Sequence, residues 1–520
     1  MTCITIAECV DEHASHQPDH VALVAPDGRT RSYAELSQTV RALARSLSRL
    51  GATHGDRIAA IVDDGIEYVE LYLAAARLGA IMVPINTRLT VAEASVLVDD
   101  CTPRIVVWSA DHSHIAGSLS VQNAASVAIG PIPDDAPTGT VAFDSLVRDG
   151  SALPEVTTPV EGDDPFIIGY TSGTTGRPKG AVMTHRSVAA IAESNNRAYR
   201  LPERSVCALT GSMSFVATVP AHVLTHLRFG GTVVILGKWS VAQLIDTIER
   251  HGVTFTYIPS PLIEEFARAA AASRPRIAGL RCVLHSASKA GPDKLRLLYD
   301  VLGDILIEGL GMTENSGGLI TATRPGDFEP VGPAADPFAS VGRAVEGTDV
   351  KVVDKAGSEL PRDGSSVGEI VVRSPSLMRD YWNMPDASAA ALVDGWYHTG
   401  DLGSMDAAGF VYVSDRRTDL IVSGGMNVYP SEVETAISGH PAVAECAVVG
   451  APHPRWGQSV VAVVALREGA ALTLEELQDY SRRTLASYKK PTRLVIVDAL
   501  PRTTSLKIRR NVVRDLVLSA

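Results

Sequence analysis

Paired cysteines are missing from this chain. Its six (Cys3, Cys9, Cys101, Cys207, Cys282 and Cys446) lie scattered over 520 residues, with no C-x-x-C pair. That excludes a disulfide framework and a zinc ribbon and fits a reducing compartment. An excess of positive charge is missing as well. Lys+Arg number 47 against 59 Asp+Glu, a formal net charge of −12. Such a chain is a poor general binder of nucleic acid or anionic membrane, although it can still carry a local positive site for an anion. No apolar run approaches the roughly 18 residues of a membrane span. The N-terminal MTCITIAECVDEHASHQPDH has neither a basic start nor an apolar centre, so no signal peptide is expected. Hydrophobic residues at 45% and charged residues at 20% are ordinary for a globular protein. The expectation is a soluble, cytoplasmic protein, with enzyme as the leading class.

What is present is alternation. Val40, Leu43, Ala44, Leu47 and Leu50 share one helix face, and Gly51 ends the run. A strand over 57–62, a helix over 67–78, a strand over 81–85, a helix over 91–99 and a strand over 104–108 follow. This spacing predicts an α/β fold of βαβ sheets covered by helices. Residues 109–164 are rich in Ser, Gly, Pro and Asp and read as surface connection. The alternation resumes at Phe166 and runs to about Glu314. Short strands broken by turns over 340–413 (350–353, 369–373, 410–413) predict a small β-rich, barrel-like unit. A small α+β domain is expected after Asp415, with strands at 447–449, 460–466 and 494–497 and a helix over 473–487.

The strongest local signal is FIIGY followed by TSGTTGRPKG. An apolar strand enters a loop holding Thr171, Ser172, Gly173, Thr174, Thr175, Gly176, Lys179 and Gly180, and a helical pattern starts near Thr184. Glycines let backbone N–H groups approach an anion, hydroxyls donate further hydrogen bonds, and Lys supplies charge, so this is phosphate-cradle chemistry. It is not a Walker A loop, because Lys179 follows Pro178 and precedes Gly180. His222 and His226 have the i, i+4 spacing of a zinc pair, but Val223 stands where H-E-x-x-H needs Glu. Packing or pocket lining is their expected role.

TSGTTGRPKG resembles the phosphate-loop signature of the AMP-forming adenylate superfamily, which includes acyl-CoA synthetases, amino-acid adenylation domains and luciferases of the firefly type. Four further boxes follow in the family's order. Gly309-Leu310-Gly311-Met312-Thr313-Glu314 resembles Y-G-M-T-E, with Leu310 in place of the tyrosine near adenine. The resemblance makes Thr313 a phosphate contact and Glu314 the Mg²⁺ ligand. Trp396-Tyr397-His398-Thr399-Gly400-Asp401 matches W-x-x-T-G-D, which implies that Asp401 holds the ribose hydroxyls. Arg416 would contact ribose or phosphate. Thr418 stands at the hinge position, where the family usually has Asp or Lys. Gly424 and Gly425 belong to the loop that faces the pantetheine thiol. Finally, 501–510 resembles P-R-T-x-x-G-K-I-x-R, with Leu506 replacing the glycine. That makes Lys507 the catalytic lysine, meeting the charge that builds at the α-phosphate. His285 to Lys289 lies where the family has its adenine loop, so Ser286 and Ala287 inherit an adenine contact.

The resemblance covers nearly the whole chain and implies a large domain over 1–415 and a small mobile one over 416–520. It implies activation of a carboxylic acid with ATP and Mg²⁺ to acyl-AMP and pyrophosphate, then transfer to coenzyme A. Phe215, Val216 and Thr218 fall in the acid-binding segment, and Val216 replaces the Asp that amino-acid adenylation domains use for the ammonium. With Leu310 and Met312 they predict a hydrophobic acid. No carrier domain follows Arg510, ten residues before the end, so a stand-alone acyl-CoA synthetase is the best match. The alternatives are a ligase loading a separate carrier protein and a non-catalytic binder that retains the fold. Neither a nucleic-acid partner nor an integral membrane segment is expected.

Overall fold

The computed structural model describes residues 4–119, 124–171, 178–286, 290–329, 336–416, 419–423, 426–454, 456–482, 485, 489–503 and 507–519. The expected alternation is there, with ends shifted by a residue or two: strands Arg57–Ile61, Ile81–Pro84 and Ile105–Ser109, and helices Tyr33–Arg49, Ile66–Leu78 and Val91–Cys101. The helix Tyr33–Arg49 starts at a capping box. Ser32 Oγ accepts from Glu35 N–H, and the Glu35 carboxylate accepts from Ser32 N–H, an arrangement that stabilises a helix start by about 1 kcal/mol.

Two large sheets carry the first part of the chain. One has eight strands. Its parallel section runs through Pro165–Thr171, Ile81–Pro84, Arg57–Ile61, Ile105–Ser109, Ala125–Ile129 and Val141–Ala142, and Lys179–Thr184 and Asp380–Tyr381 join antiparallel at one edge. The other has nine strands, among them Val206–Leu209, Phe255–Tyr257, Cys282–His285 and Leu306–Gly311 in parallel. Both sheets and the helices Tyr33–Arg49 and Ile66–Leu78 contribute to a single core that includes Tyr33, Leu43, Tyr72, Phe166, Tyr199 and Phe255.

Two expectations need correction. Residues 109–164 are more than surface connection. They supply the strands Ala125–Ile129 and Val141–Ala142 and the helix Phe143–Gly150, whose Phe143 and Leu146 are buried in the main core. Strands this short carry too little periodicity to stand out from the Ser and Pro around them. The helix expected from near Thr184 is there as His185–Ala198, but Lys179 and Gly180 belong to a second strand, Lys179–Thr184, antiparallel to Pro165–Thr171, and not to the loop.

By packing, the chain forms two compact units: Met1–Val350 with Val372–Tyr397, and Lys351–Val371 with His398–Ala520. The expected β-rich unit is a five-stranded sheet containing Asp349–Val353, Gly368–Arg373, Trp396–Met405 and Val411–Arg416. The expected α+β block is a second five-stranded sheet, centred on Val443–His453 and Gly457–Leu466. It buries alternate residues on both faces. Val448, Val460 and Val464 pack with Val433 and Leu477, whereas Val449, Val461 and Val463 pack with Leu500 and Val513. The helix expected over 473–487 spans Leu474–Ser481.

The helix Ile66–Leu78 is buried all round except at Glu67 and Arg77, which fits a helix held inside a layered core. It carries one acid inward. Glu70 is 1% exposed, and its Oε1 lies 3.1 Å from Arg31 Nε. Burial pushes its carboxyl from 4.5 up to about 7. A raised carboxyl favours the protonated folded state, so its contribution to stability is lost as pH rises from 4.5 to about 7. Relative to the parent, Glu70→Gln should gain up to about 3 kcal/mol across that window, read from urea midpoints at its two ends.

Candidate active site

The antiparallel pair beneath the Thr/Gly loop places Thr171 opposite Lys179 and Tyr170 opposite Gly180. Ser172, Gly173, Thr174, Thr175 and Gly176 lie outside the described residues, as do Ala287, Thr418, Gly424 and Gly425 and the side chain of Arg416. The strand before the loop is crossed closely by two other segments. A Cβ on Gly169 would sit 2.7 Å from Val216 Cγ1 and 3.0 Å from Thr313 Cγ2. Only the absence of a side chain allows that approach. The segments around Val216 and Thr313 therefore meet over the strand that feeds the loop. Val216 and Thr218 are buried and Phe215 is half-buried.

Glu314 and Lys179 are linked by a residue that the sequence reading missed. Tyr381 Oη donates to Glu314 Oε1 at 3.1 Å and lies 3.1 Å from Tyr397 Oη. Lys179 Nζ stands 5.1 Å from the centre of the Tyr381 ring, a cation–π placement. Tyr381 is held there because Asp380–Tyr381 pairs with Val182 and Ala181, while Met378 N–H donates to the Glu314 carbonyl at 2.7 Å. Met312 packs beside Tyr381 and Tyr397. The turn after Glu314 is pinned by Ser316 Oγ, which donates to the Ser376 carbonyl at 2.8 Å, and by Ser376 Oγ, which donates to Asn315 Oδ1 at 2.9 Å.

Gly309 and Gly311 have a packing role of their own. A Cβ on either would come within 2.6 Å and 2.9 Å of the carbonyls of Thr321 and Gly318. Leu310 lies between them, half-buried, and its N–H donates to Thr321 Oγ1 at 3.3 Å. Ser286 follows the strand Cys282–His285, and its carbonyl accepts from Tyr257 Oη at 3.3 Å.

In the second unit, Asp401 is 8% exposed and pairs opposite Arg416 in the antiparallel register. The turn leading to it is braced by Glu369, whose carboxylate accepts from Gly400 N–H at 3.0 Å and lies 3.1 Å from His398 Nδ1. Lys507 is exposed, and the residues around it close on themselves. Its N–H donates to Thr503 Oγ1 at 3.1 Å and its carbonyl accepts from Thr503 N–H at 2.7 Å.

The histidine pair belongs to the core. His222 and His226 lie on adjoining helical turns, their ring centres 5.3 and 5.1 Å from that of Phe255. Burial lowers them to about 3 and about 4. Among the described residues, no group of three His, Cys, Asp or Glu could hold a metal ion.

A protein-family model described as AMP-binding enzyme matches residues 10–382, and its C-terminal-domain counterpart matches 432–507. The chain belongs to the AMP-binding enzyme family. This AMP-binding enzyme is 32% identical over 502 residues to feruloyl-CoA synthase of Amycolatopsis sp, covering 95% of this chain and 96% of the relative. It is 32% identical to indoleacetate–CoA ligase of Aromatoleum aromaticum, covering 98% of both chains. Among solved structures, o-succinylbenzoate CoA synthetase from Bacillus subtilis, in complex with its acyl-adenylate intermediate, matches with a TM-score of 0.86. The identity is 28% and 98% of both chains is covered. No helix among the described residues of the AMP-binding enzyme is long and apolar enough to cross a membrane.

The buried histidines give a direct check. Both rings are enclosed, and His226 Nδ1 already lies 2.6 Å from the His222 carbonyl. Equimolar zinc should leave the thermal midpoint unchanged at neutral pH. A zinc-dependent rise abolished by His222→Gln would instead make the pair a metal site.

Proposed function

We propose that this enzyme activates a hydrophobic carboxylic acid with ATP, releasing pyrophosphate and forming acyl-AMP, and then passes the acyl group to coenzyme A. The observation that carries this reading is the Lys179–Tyr381–Glu314 link beside Val216 and Thr313. It sets a cation over the face of one ring and a carboxylate at that ring's hydroxyl, next to an apolar wall.

Each residue has a part in the proposal. Thr171, Ser172, Gly173, Thr174, Thr175, Gly176 and Lys179 cradle the phosphates, with Thr313 beside them. Ser286, Ala287 and the Gly309–Met312 backbone border the base. Asp401 and Arg416 hold the ribose. Phe215, Val216, Thr218, Leu310 and Met312 line the acid. The carboxylate attacks the α-phosphorus, and pyrophosphate leaves. Lys507 supplies positive charge as negative charge builds there. The product is a mixed anhydride, so no protein nucleophile is required. The thiol of CoA then attacks the acyl carbon and AMP departs. Residues 416–520 turn about Thr418 between the two steps, exchanging Lys507 for Gly424 and Gly425. This functional boundary falls inside the second packing unit.

Mg²⁺ fits Glu314 as one carboxylate ligand whose other partners are phosphate oxygens. That is how Mg²⁺ is usually held with nucleotides. When bound, it neutralises phosphate charge. Tyr381 holds Glu314 Oε1 and so orients the carboxylate.

The acid is an aryl or aliphatic hydrophobic one. The apolar lining supports this, as do the names of the CoA ligases described above. The enzyme works in the cytoplasm, where ATP and CoA are found. Pyrophosphate release across a panel of aryl and alkyl acids, with and without CoA, tests the reading. An acid-dependent burst without CoA and turnover with CoA are expected. If only a holo carrier protein sustains turnover, the CoA acceptor is wrong.

Lys507→Ala should slow adenylation by roughly 10²–10³-fold, as loss of a transition-state charge donor does. Thioester formation from supplied acyl-AMP should stay near the parent rate. An equal fall in both half-reactions would overturn the two-position scheme.

A further inference from the structure

A buried polar chain lies between two loops of the first unit and has no part in the steps above. Strands Cys282–His285 and Leu306–Gly311 run parallel with His285 opposite Glu308. His285 is 0% exposed and Glu308 3%. His285 Nδ1 is hydrogen-bonded to the Glu308 carboxylate, and its Nε2 lies 2.8 Å from Ser260 Oγ. Ser260 opens the turn that follows the neighbouring parallel strand Phe255–Tyr257. One side-chain chain thus ties His285, the last residue of its strand, to the middle of the strand Leu306–Gly311 and to the turn that follows Phe255–Tyr257. The carboxyl ends of parallel strands are where open α/β sheets place their ligands. Ser286 comes directly after His285, and Leu310 to Glu314 come just after Glu308. Tyr257, at the end of the third strand, reaches across to the Ser286 carbonyl.

Stability is a weak reason to keep such a chain. Burying a carboxylate and an imidazole costs more than an apolar trio of equal volume, and burial raises the Glu308 carboxyl. The order Ser–His–Glu also matches a hydrolytic triad. The surrounding turn does not suit one, because the N–H groups of Leu262 and Ile263 are committed to the carbonyls of Pro259 and Ser260.

We propose that Glu308, His285 and Ser260 form a positioning relay for the nucleotide, holding the Ser286 loop and the Leu310–Glu314 loop at the separation that ATP requires. The relay rests on the assignment of those two loops to the nucleotide in the proposed function. It acts through backbone placement and touches no reacting atom. Loss of a relay member should therefore weaken ATP and spare the acid.

The test uses the full chain, with ATP affinity by calorimetry and both KM values from acid-dependent pyrophosphate exchange. Glu308→Ala and His285→Ala should raise the ATP Kd and KM by about tenfold or more, with the acid KM within about threefold of the parent. Glu308→Gln keeps an acceptor for the His285 N–H and should restore ATP affinity to within about threefold. Ser260→Ala, the mildest truncation, should raise the ATP KM alone by about threefold if the alanine variants at the other positions do not fold. Equal rises in both KM values, or no rescue by Gln, would overturn the relay. So would an acyl-CoA hydrolysis present in the parent and lost in Ser260→Ala, which would make Ser260 a nucleophile. Absence of ATP binding in the parent would sink the functional reading itself. ATP binding that is insensitive to these variants would sink only the relay.

Discussion

The strand Pro165–Thr171 can serve its loop only because residue 169 has no side chain. Two segments far apart in sequence, around Val216 and Thr313, lie where a Cβ would project. Any larger residue would push one of them off, and protein interiors do not yield that space cheaply. The approach sets where the strand Pro165–Thr171, the segment around Val216 and the turn at Thr313 stand relative to one another. Gly309 and Gly311 apply the same device in the other large sheet, letting the chain return against its own carbonyls. These two glycines are thus packing contacts in their own right.

Around that close approach, polar groups are arranged in pairs that limit one another. Tyr381 shares its hydroxyl with Glu314 and Tyr397 and turns its ring face to Lys179. A lysine and a glutamate left to themselves would attract and close the gap between them. Tyr381 engages each of them separately, the lysine at its ring face and the carboxylate at its hydroxyl. Glu369 does comparable work in the second unit, where it braces the turn before Asp401 by accepting from Gly400 N–H.

How much of this was legible in the sequence depends on range. The helices with clear apolar periodicity, such as Tyr33–Arg49, stood out because one face alone carries the signal. The boxes containing Lys179, Thr313, Glu314, Asp401 and Lys507 were legible because their residue types are contiguous. Tyr381 was not, since Asp380-Tyr381 looks like any β-edge dipeptide with an aromatic and its meaning comes from pairing with Val182 and Ala181. The Ser260–His285–Glu308 chain was invisible for the same reason. Its members come from two strands and the turn after a third, and only sheet register brings them together. The Thr/Gly loop was correctly placed after a strand, but its exit into a second strand was hidden. KGAVMT is too short for its period to outweigh the strong helix cap that follows at Thr184.

The same dependence on partners changes the meaning of the positive charge in the last part of the chain. In sequence, Lys489, Lys490, Arg493, Arg502, Arg509, Arg510 and Arg514 concentrate positive charge in the last hundred residues. In the structure four of them are matched within their own unit: Lys489 by Glu432, Arg502 by Glu445, Arg510 by Glu434, and Arg514 by Asp419. Arg510 also donates to the Val448 carbonyl at 2.9 Å, tying the C-terminal helix to the central strand. These cations organise a small fold more than they attract a ligand. Paired charges cast little field beyond a Debye length of about 8–10 Å at physiological salt. A net acidic enzyme can then handle a polyanion by placing a few cations where local backbone fixes them. Lys507 is exposed, and its N–H and carbonyl both bond to Thr503. In the proposed reaction, position more than total charge decides which lysine meets the phosphate.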